Sequence, residues 1–242
     1  IDVSAKGTLS GFDSYVAAAS AYADGRVLHG EARNVVGNVD NTQEVKLSAE
    51  SDGSKGAAFG LRAETTTQGW SGAAYTFTAS SEVYSAGKVD IDAKLTGTQE
   101  GEHAYGVFAY GTTVSTASNV IKGKEVEIDA LTGANTKNAN AYGLHAEYKT
   151  SSNSVSGLDS GGSKLAVNAA AQGQGGSAYG VNTQDEAKTS ISNFDQLHIG
   201  ASAQGGSATA VRTAGNAESV IRGKDVNIEA EVLGQGGGAY GV

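Results

Sequence analysis

A short phrase, Ala-Tyr-Gly-Val, returns along the whole chain and constrains its fold more than any other feature. Its copies and close variants begin at Ala21, Ala58, Ala104, Ala141, Ala178, Ala208 and Ala239. They recur at intervals of roughly 30 to 46 residues, which is typical of arrays in which each repeat covers the open face of its neighbour. We therefore expect function on the surface of an array, not in a pocket between lobes.

A second phrase runs in step with the first and has the alternating pattern of a β-strand. Seven segments read apolar-x-apolar-x-Ala: 1–5, 45–49, 89–93, 126–130, 165–169, 197–201 and 226–230. Their period of two indicates strands, because successive side chains of a strand point to opposite sides. A third phrase, such as Val120-Ile121-Lys122-Gly123, closes each unit. The phrases together predict three short strands per repeat.

The constant order of these phrases predicts an all-β fold, a right-handed parallel β-helix with three strands per coil and about seven coils. Like phrases should then stack about 4.8 Å apart, the normal spacing of paired strands. A β-propeller and a left-handed trimeric head are the alternatives, although the head would need a period about half of that seen. We expect residues 1–242 to form one β-helical domain, a fragment of a longer array, because the repeats stop inside a copy at Val242.

Side-chain alternation predicts which positions are buried. The second phrase should form one continuous parallel sheet with these residues in the core: Val89, Ile91, Val126, Ile128, Val226 and Ile228. In the first phrase Tyr and Val are two residues apart and should face the same side of a strand. Because Val belongs in the core, this favours Tyr inside and the small Ala and Gly outside. The reverse orientation stays open, and it would expose a column of Tyr rings suited to stacking on sugars.

The composition excludes several classes of function. The chain has 35 Gly but no Cys, so neither a disulfide framework nor a thiolate metal site can form. With 17 basic against 26 acidic residues and a net charge of −9, it lacks the basic patch that nucleic-acid binding needs. No apolar run reaches membrane-spanning length. We expect no nucleic-acid partner, no insertion of this segment into a membrane and no cofactor.

The outward positions of the second phrase place four acids on neighbouring repeats: Asp90, Asp92, Glu127 and Asp129. Strand spacing predicts a square of roughly 5 by 7 Å, which would suit a shared cation or the carboxylate pair of a glycosidase. Lys88, Lys94 and Lys124 stand at the strand ends and can offset this charge. A solvated surface is thus the simpler interpretation, and we assign no catalytic residue and no metal ligand.

Two further groups of residues are candidates for partner binding. The segment at about 62–82 is longer than its counterparts and carries Trp70, Tyr75 and Phe77, and exposed aromatic residues are frequent interface anchors. A hairpin that folds these rings back onto the array fits the pattern equally well. The positions that follow the first phrase add Arg62, Phe108 and His145.

The repeats at 173–181 and 234–242, with the strand-like segment 219–230, resemble the passenger domains of bacterial autotransporters, the type V secreted proteins. The lack of cysteine and the acidic balance are also similar to that family. The resemblance spans the chain and concerns the scaffold rather than an activity. It implies export through the outer membrane to the cell surface or medium, and an adhesive or self-associating role toward a surface protein, a glycan or another copy.

The sequence therefore favours a non-enzymatic adhesin, a structural rod on the cell surface. The alternative is a β-helical polysaccharide lyase or glycosidase that uses the acidic surface. Enzymes of this fold raise long loops beside their carboxylates, whereas the turns here are short and Gly-rich, as at 201–208. This difference favours the rod.

Overall fold

The computed structural model shows an all-β protein, described at residues 1–9, 14–24, 29–66, 76–98, 100–112, 114–234 and 237–242. Its strands are β1 (Asp2–Gly7), β2 (Tyr15–Asp24), β3 (His29–Asn38), β4 (Glu44–Ser51), β5 (Ala57–Thr66), β6 (Thr76–Ser85), β7 (Lys88–Leu95), β8 (Ala104–Tyr110), β9 (Thr116–Lys122), β10 (Glu125–Thr132), β11 (Ala141–Glu147), β12 (Ser151–Ser156), β13 (Lys164–Ala171), β14 (Ala178–Gln184), β15 (Lys188–Ala203), β16 (Ala208–Ala214), β17 (Glu218–Val232) and β18 (Ala239–Tyr240). In these ranges there is no helix, and hence none that could cross a membrane.

The strands form two sheets, and within each sheet all paired strands run parallel. The larger sheet has the order β1-β4-β7-β10-β13-β15-β12-β9-β6-β3, with β17 also paired to β15. The smaller sheet has the order β18-β16-β14-β11-β8-β5-β2 and contains the Ala-Tyr-Gly-Val phrases. Because β15 and β17 each carry a third and a second phrase without a break, they join two rows of strands into one sheet.

Equivalent positions of successive repeats are paired residue for residue. Val89 pairs with Val126, for example, and Ile91 pairs with Ile128. The same register connects all seven second phrases, from β1 to β17. The prediction of one continuous parallel sheet through these phrases is confirmed.

The expected core positions are buried except at one edge. Four of them are at most 1% exposed: Val89, Ile91, Val126 and Ile128. Val226 is 44% exposed and Ile228 is half-buried, so the prediction is wrong for these two. Both lie on β17, the last strand of its row, where a neighbouring strand covers the side chains from one side only.

The Ala-Tyr-Gly-Val phrase does not alternate regularly. In β8, Ala104, Gly106 and Val107 are buried, whereas Tyr105 is half-buried on the outer side. The pairing with β11 skips the glycine and resumes at Val107, so two successive positions, Gly106 and Val107, face the core. The expectation that Tyr and Val share a face is therefore wrong, because the alternation resets at the glycine.

The glycine of this phrase is required by close packing between the two sheets. A Cβ on Gly106 would lie 2.6 Å from Ile128 Cγ2 and 2.8 Å from the carbonyl oxygen of Gly143. A carbon atom does not fit at either distance. The isoleucine of the second phrase thus packs directly on the glycine of the first phrase, and this contact fixes the spacing of the sheets.

The segment expected as a long loop at 62–82 is strand at both ends, since β5 extends to Thr66 and β6 begins at Thr76. Phe77 is 1% exposed and packs in a small alanine-rich part of the core. Phe77 is therefore not the exposed anchor that the sequence suggested, because it takes an inward position of β6. Trp70 and Tyr75 lie outside the described residues.

Candidate functional site

The outer face of the smaller sheet carries a column of stacked rings, which we call the aromatic column: Phe59, Tyr105, Tyr142 and Tyr179. Successive ring centroids are 5.0, 4.9 and 5.1 Å apart, and the ring planes differ by 3°, 7° and 9°. The rings stack because paired strands place the same phrase position side by side. Each inner ring has both faces occupied by its neighbours, so the edges of the tyrosines are what the column presents outward.

Local contacts fix the direction in which these rings lean. Asn140 Nδ2 donates a hydrogen bond of 3.1 Å to the Tyr142 hydroxyl, two residues further along. The His103 ring stands edge-on to Tyr105, with the centroids 5.9 Å apart. The tyrosines thus lean toward the residue two positions before them. Burial raises the pKa of Tyr142 and raises that of Tyr105 well above the ordinary value.

A second column lies beside the first, three residues further along each strand: Arg62, Phe108, His145, Asn182 and Arg212. The rings of Phe108 and His145 are stacked with centroids 5.5 Å apart, and Phe108 is 4.8 Å from Tyr105. Arg62 lies over Tyr15, with 4.1 Å from its guanidinium carbon to the ring centroid. The structure therefore brings together the three predicted binding residues of this face.

These three residues are nevertheless largely covered by their neighbours. Arg62 is 6% exposed, Phe108 is 8% exposed and His145 is 3% exposed. Their partners lie within the chain, and a ligand could reach only their edges. Their binding role stays a prediction, while their packing role is evident from the geometry.

Two carboxylates complete this face. Arg62 forms an ion pair with Glu64, and His145 Nε2 lies 3.2 Å from a carboxylate oxygen of Glu147. The hydrogen bond with His145 lowers the pKa of Glu147, although burial opposes the shift. In both repeats the acid stands two residues after the basic side chain. Both basic side chains thus have an acidic partner within their own strand, although Nη1 of Arg62 is buried without a hydrogen-bond partner.

Buried polar side chains support the second column from the core side. Ser81 Oγ donates to the carbonyl oxygen of Arg62, Asn119 Nδ2 to that of Phe108, and Asn153 Nδ2 to that of His145, each at 2.8 Å. All three donors are at most 1% exposed. They satisfy carbonyl groups that follow the irregularity at the glycine.

The sequence analysis missed these donors, although a signal was present. Each donor stands two residues before a buried apolar residue of the third phrase: Val83, Ile121 and Val155. A period of two therefore places a Ser or Asn on an inward position in every one of these strands. A polar residue repeated at an inward position indicates that each of these repeats has a buried backbone group that needs a hydrogen-bond partner.

The acidic positions lie on the outer face of the larger sheet, where lysines surround them. Lys88 Nζ lies 2.8 Å from Glu127 and 3.6 Å from Asp90, and Lys94 Nζ lies 3.8 Å from Asp92. Lys46, at an outward position of the preceding repeat, lies 3.6 Å from Asp90. Lys46 and Lys88 thus each contact an acid of the next repeat, whereas Lys94 contacts an acid of its own strand.

Two of the acids are shielded from water. Burial raises the pKa of Asp92, with Lys94 opposing the shift, and burial also raises the pKa of Asp129. Asn168 Nδ2 donates a hydrogen bond of 2.9 Å to Asp129. Among the described residues, no group of three or more His, Asp or Glu side chains could hold a metal ion.

A shallow hollow of about 500 Å³ continues this surface across β10, β13, β15 and β17. It opens where the small Ala166 stands between Glu127 and His198 in the row of outward positions. His198 is held by Asn227, with 3.2 Å between its Nδ1 and the amide nitrogen. Three carboxylates, those of Glu125, Glu127 and Asp225, and the imidazole of His198 line this hollow.

No protein-family model, curated protein or solved structure matches the chain. The geometry of the two outer faces therefore carries the functional inference.

Proposed function

We propose that the chain is a segment of a right-handed parallel β-helix with three strands per coil, acting as a non-enzymatic adhesive rod of the autotransporter-passenger type. It would be displayed on the cell surface or released into the medium. The observation that carries the proposal is the residue-for-residue register of seven second phrases and of the Ala-Tyr-Gly-Val phrases. A chain in which each repeat pairs with the next forms an extended object whose surface repeats at strand spacing.

Repetition favours adhesion because it presents the same group many times along one line. The ring centroids of the aromatic column recur every 4.9 to 5.1 Å from Phe59 to Tyr179. Weak contacts made at several such positions add up when the partner is itself repetitive, as a glycan or a second copy of the rod is. Tyr is also a frequent anchor of protein contacts.

The charge of the rod sets the conditions under which copies would associate. Its net charge of −9 makes two copies repel one another, and salt screens this repulsion. We therefore expect self-association to be weak at low ionic strength and stronger as salt is added. The opposite salt dependence would indicate that association depends on ion pairs between copies.

The test is display of the chain on cells that lack adhesins of their own. We expect these cells to aggregate, or to adhere to glycan-coated or protein-coated surfaces, more than cells displaying an unrelated β-sheet domain at equal density. Trp70→Ala in the same assay tests the segment at 62–82 as a contact site. If the displayed chain is folded and yet neither adheres nor aggregates at any salt concentration, the proposal is wrong.

A glycan-cleaving enzyme is the second candidate, favoured by the hollow at Ala166 and by the raised pKa of Asp92 and Asp129. Release of reducing ends from acidic and neutral polysaccharides would reveal such an activity. Loss of that release in Glu127→Gln or His198→Ala would assign it to the hollow. If polysaccharides remain intact while cells adhere, the enzyme hypothesis is wrong and the adhesive rod stands.

A further inference from the structure

The aromatic column has one position without a ring. Thr209 pairs with Tyr179 on one side and with Tyr240 on the other, so a threonine stands where its neighbours carry tyrosine. Tyr179 and Tyr240 are therefore two strand spacings apart, or about 10 Å. Adjacent rings of the column are about 5 Å apart. By strand spacing, the replacement of tyrosine by Thr209 leaves room for one flat ring between its two neighbours.

Both walls of this space have the orientation seen elsewhere in the column. Tyr179 stacks on Tyr142 with one face, which leaves its other face toward Thr209. The Tyr240 hydroxyl lies beside Gly238, 2.5 Å from where a Cβ would be, just as the Tyr142 hydroxyl lies beside Asn140. Tyr240 thus leans toward the residue two positions before it, as Tyr142 does, so the two walls lean in the same direction.

A negative charge is missing next to the same position. Arg62 and His145 each pair with an acid two residues further along, whereas the residue two positions after Arg212 is Ala214. Arg212 is exposed, and its Nη1 donates a hydrogen bond of 3.2 Å to Asn182 Oδ1. The carboxylates of the described residues form no salt bridge with it.

The free charge and the free ring face belong to one site. The guanidinium carbon of Arg212 lies 6.0 Å from the centroid of the Tyr179 ring. The site thus offers ring faces, the hydroxyl of Thr209 and a cation that pairs with none of the carboxylates in the described ranges. Compared with earlier repeats, it has Thr209 in place of an aromatic ring and Ala214 in place of an acid.

We propose that this site, bounded by Tyr179, Thr209 and Tyr240, binds one acidic pyranose of a glycan. The flat C–H faces of the sugar would lie against the two tyrosine rings, its carboxylate would pair with Arg212, and its hydroxyl groups would contact Thr209. An aromatic side chain would fill the same space but would leave the guanidinium unpaired. The inference rests on the proposed adhesive function and names its ligand class.

The experiment measures binding of an oligosaccharide of hexuronic acid to the purified chain, by calorimetry or by NMR of the tyrosine rings. The methyl ester of the same oligosaccharide is the ligand control, because it keeps the rings and removes the charge. We expect the acid to bind and the ester to bind at least about tenfold more weakly, since the charge-assisted pair is lost. Equal binding of acid and ester would overturn the proposal, as would competition by a neutral phenylalanine peptide.

Three variants locate the site. Thr209→Tyr fills the space with the missing ring, so we expect it to abolish binding. Arg212→Gln removes the cation, so we expect it to weaken binding of the acid at least about tenfold, as the methyl ester does. Arg222→Gln removes an exposed arginine at a distance from the column and should bind like the parent chain. Arg212 is exposed, so its replacement tests the site even if Thr209→Tyr fails to fold.

The outcomes separate this proposal from the adhesive rod. Full binding by folded Thr209→Tyr or by Arg212→Gln would overturn the sugar site, even if the displayed chain still makes cells adhere. Loss of binding in Thr209→Tyr together with weakened binding in Arg212→Gln would support the site, even if cells displaying the parent chain do not adhere. The binding assay in solution thus tests the sugar site, and the cell-display assay tests the adhesive function of the rod.

Discussion

Ile128 Cγ2 occupies the space in which a Cβ of Gly106 would stand, at a separation of 2.6 Å. The same approach recurs between Gly143 and Val167 in the next repeat. The glycine of the repeated phrase is thus a packing requirement between the two sheets. It also marks the point at which the regular alternation of side chains resets.

We expect Gly106→Ala to destabilise the fold by about 1–3 kcal/mol, because the added methyl group overfills the contact with Ile128. Gly241→Ala is the matched control, since Gly241 stands in the same phrase and a Cβ there would meet no atom within 4 Å. Denaturant unfolding of both variants measures the difference. Equal stability of the two variants would show that the sheets can separate without cost.

A second prediction concerns the buried asparagine of β12. Asn153→Ala leaves the carbonyl oxygen of His145 without its donor, and an unsatisfied buried carbonyl costs about 1–3 kcal/mol. Asn227→Ala is the control, because Asn227 is exposed on the outer face. Thermal unfolding should show a lower midpoint for Asn153→Ala alone. A normal midpoint would mean that water or another donor reaches this carbonyl.

The sequence was sufficient for the order and register of the strands because β-branched residues alternate strictly in the second phrase. Val89 and Ile91 define an inward face, and one shift of register would turn that face outward. The same reasoning failed for Tyr105, since it assumed a strand that alternates through the glycine. Nothing in the one-dimensional pattern states that Gly106 and Val107 both face the core.

The candidate sites were predictable only in part, because residues that are far apart in the sequence meet in them. Alternation placed Asp90 and Asp92 on one face of β7, but it did not reveal that Asp92 is buried. Lys46, which pairs with Asp90, lies one repeat away along the chain. The gap above Thr209 likewise appears only when three repeats are aligned by their pairing. Contacts between repeats need the register, and the register is a property of the folded chain.

A third prediction follows from the shielded acid Asp92. Its folded pKa is raised, so ionisation costs stability above the folded value, and this cost disappears as the pH falls below the ordinary value of about 3.9. Asp92→Asn should therefore melt at a higher temperature than the parent chain at pH 7, and this gain should vanish in acid. Lys94 and Lys46 limit the gain, because they lose a partner.

Asp90→Asn is the control for this experiment. Asp90 lies 3.6 Å from both Lys46 and Lys88, so its amide should bring no comparable gain at pH 7. Melting curves of the two variants between acid and neutral pH supply the comparison. A lower midpoint of Asp92→Asn at pH 7 would show that its lysine pairs outweigh the cost of burial.

The last prediction concerns the aromatic column at high pH. Burial raises the pKa of Tyr105 and Tyr142, and burial together with a hydrogen bond to Tyr148 raises the pKa of Tyr110 to about 12. An unfolded tyrosine loses its proton near pH 10, whereas these tyrosines keep theirs in the folded chain. Above that pH the unfolded state binds fewer protons, so stability falls as the pH rises.

We therefore expect a fraction of the tyrosines to ionise only when the chain unfolds in alkali. Tyrosinate absorbance and circular dichroism should then change together for these residues, after the exposed tyrosines have titrated. Tyr142→Phe keeps the stacked ring but removes the hydroxyl that burial holds protonated, so it should unfold at a higher pH. Tyr240→Leu, which removes an exposed ring, should leave the alkaline midpoint unchanged. Titration of all tyrosines in one step near pH 10, with the fold intact, would show that the column is open to water.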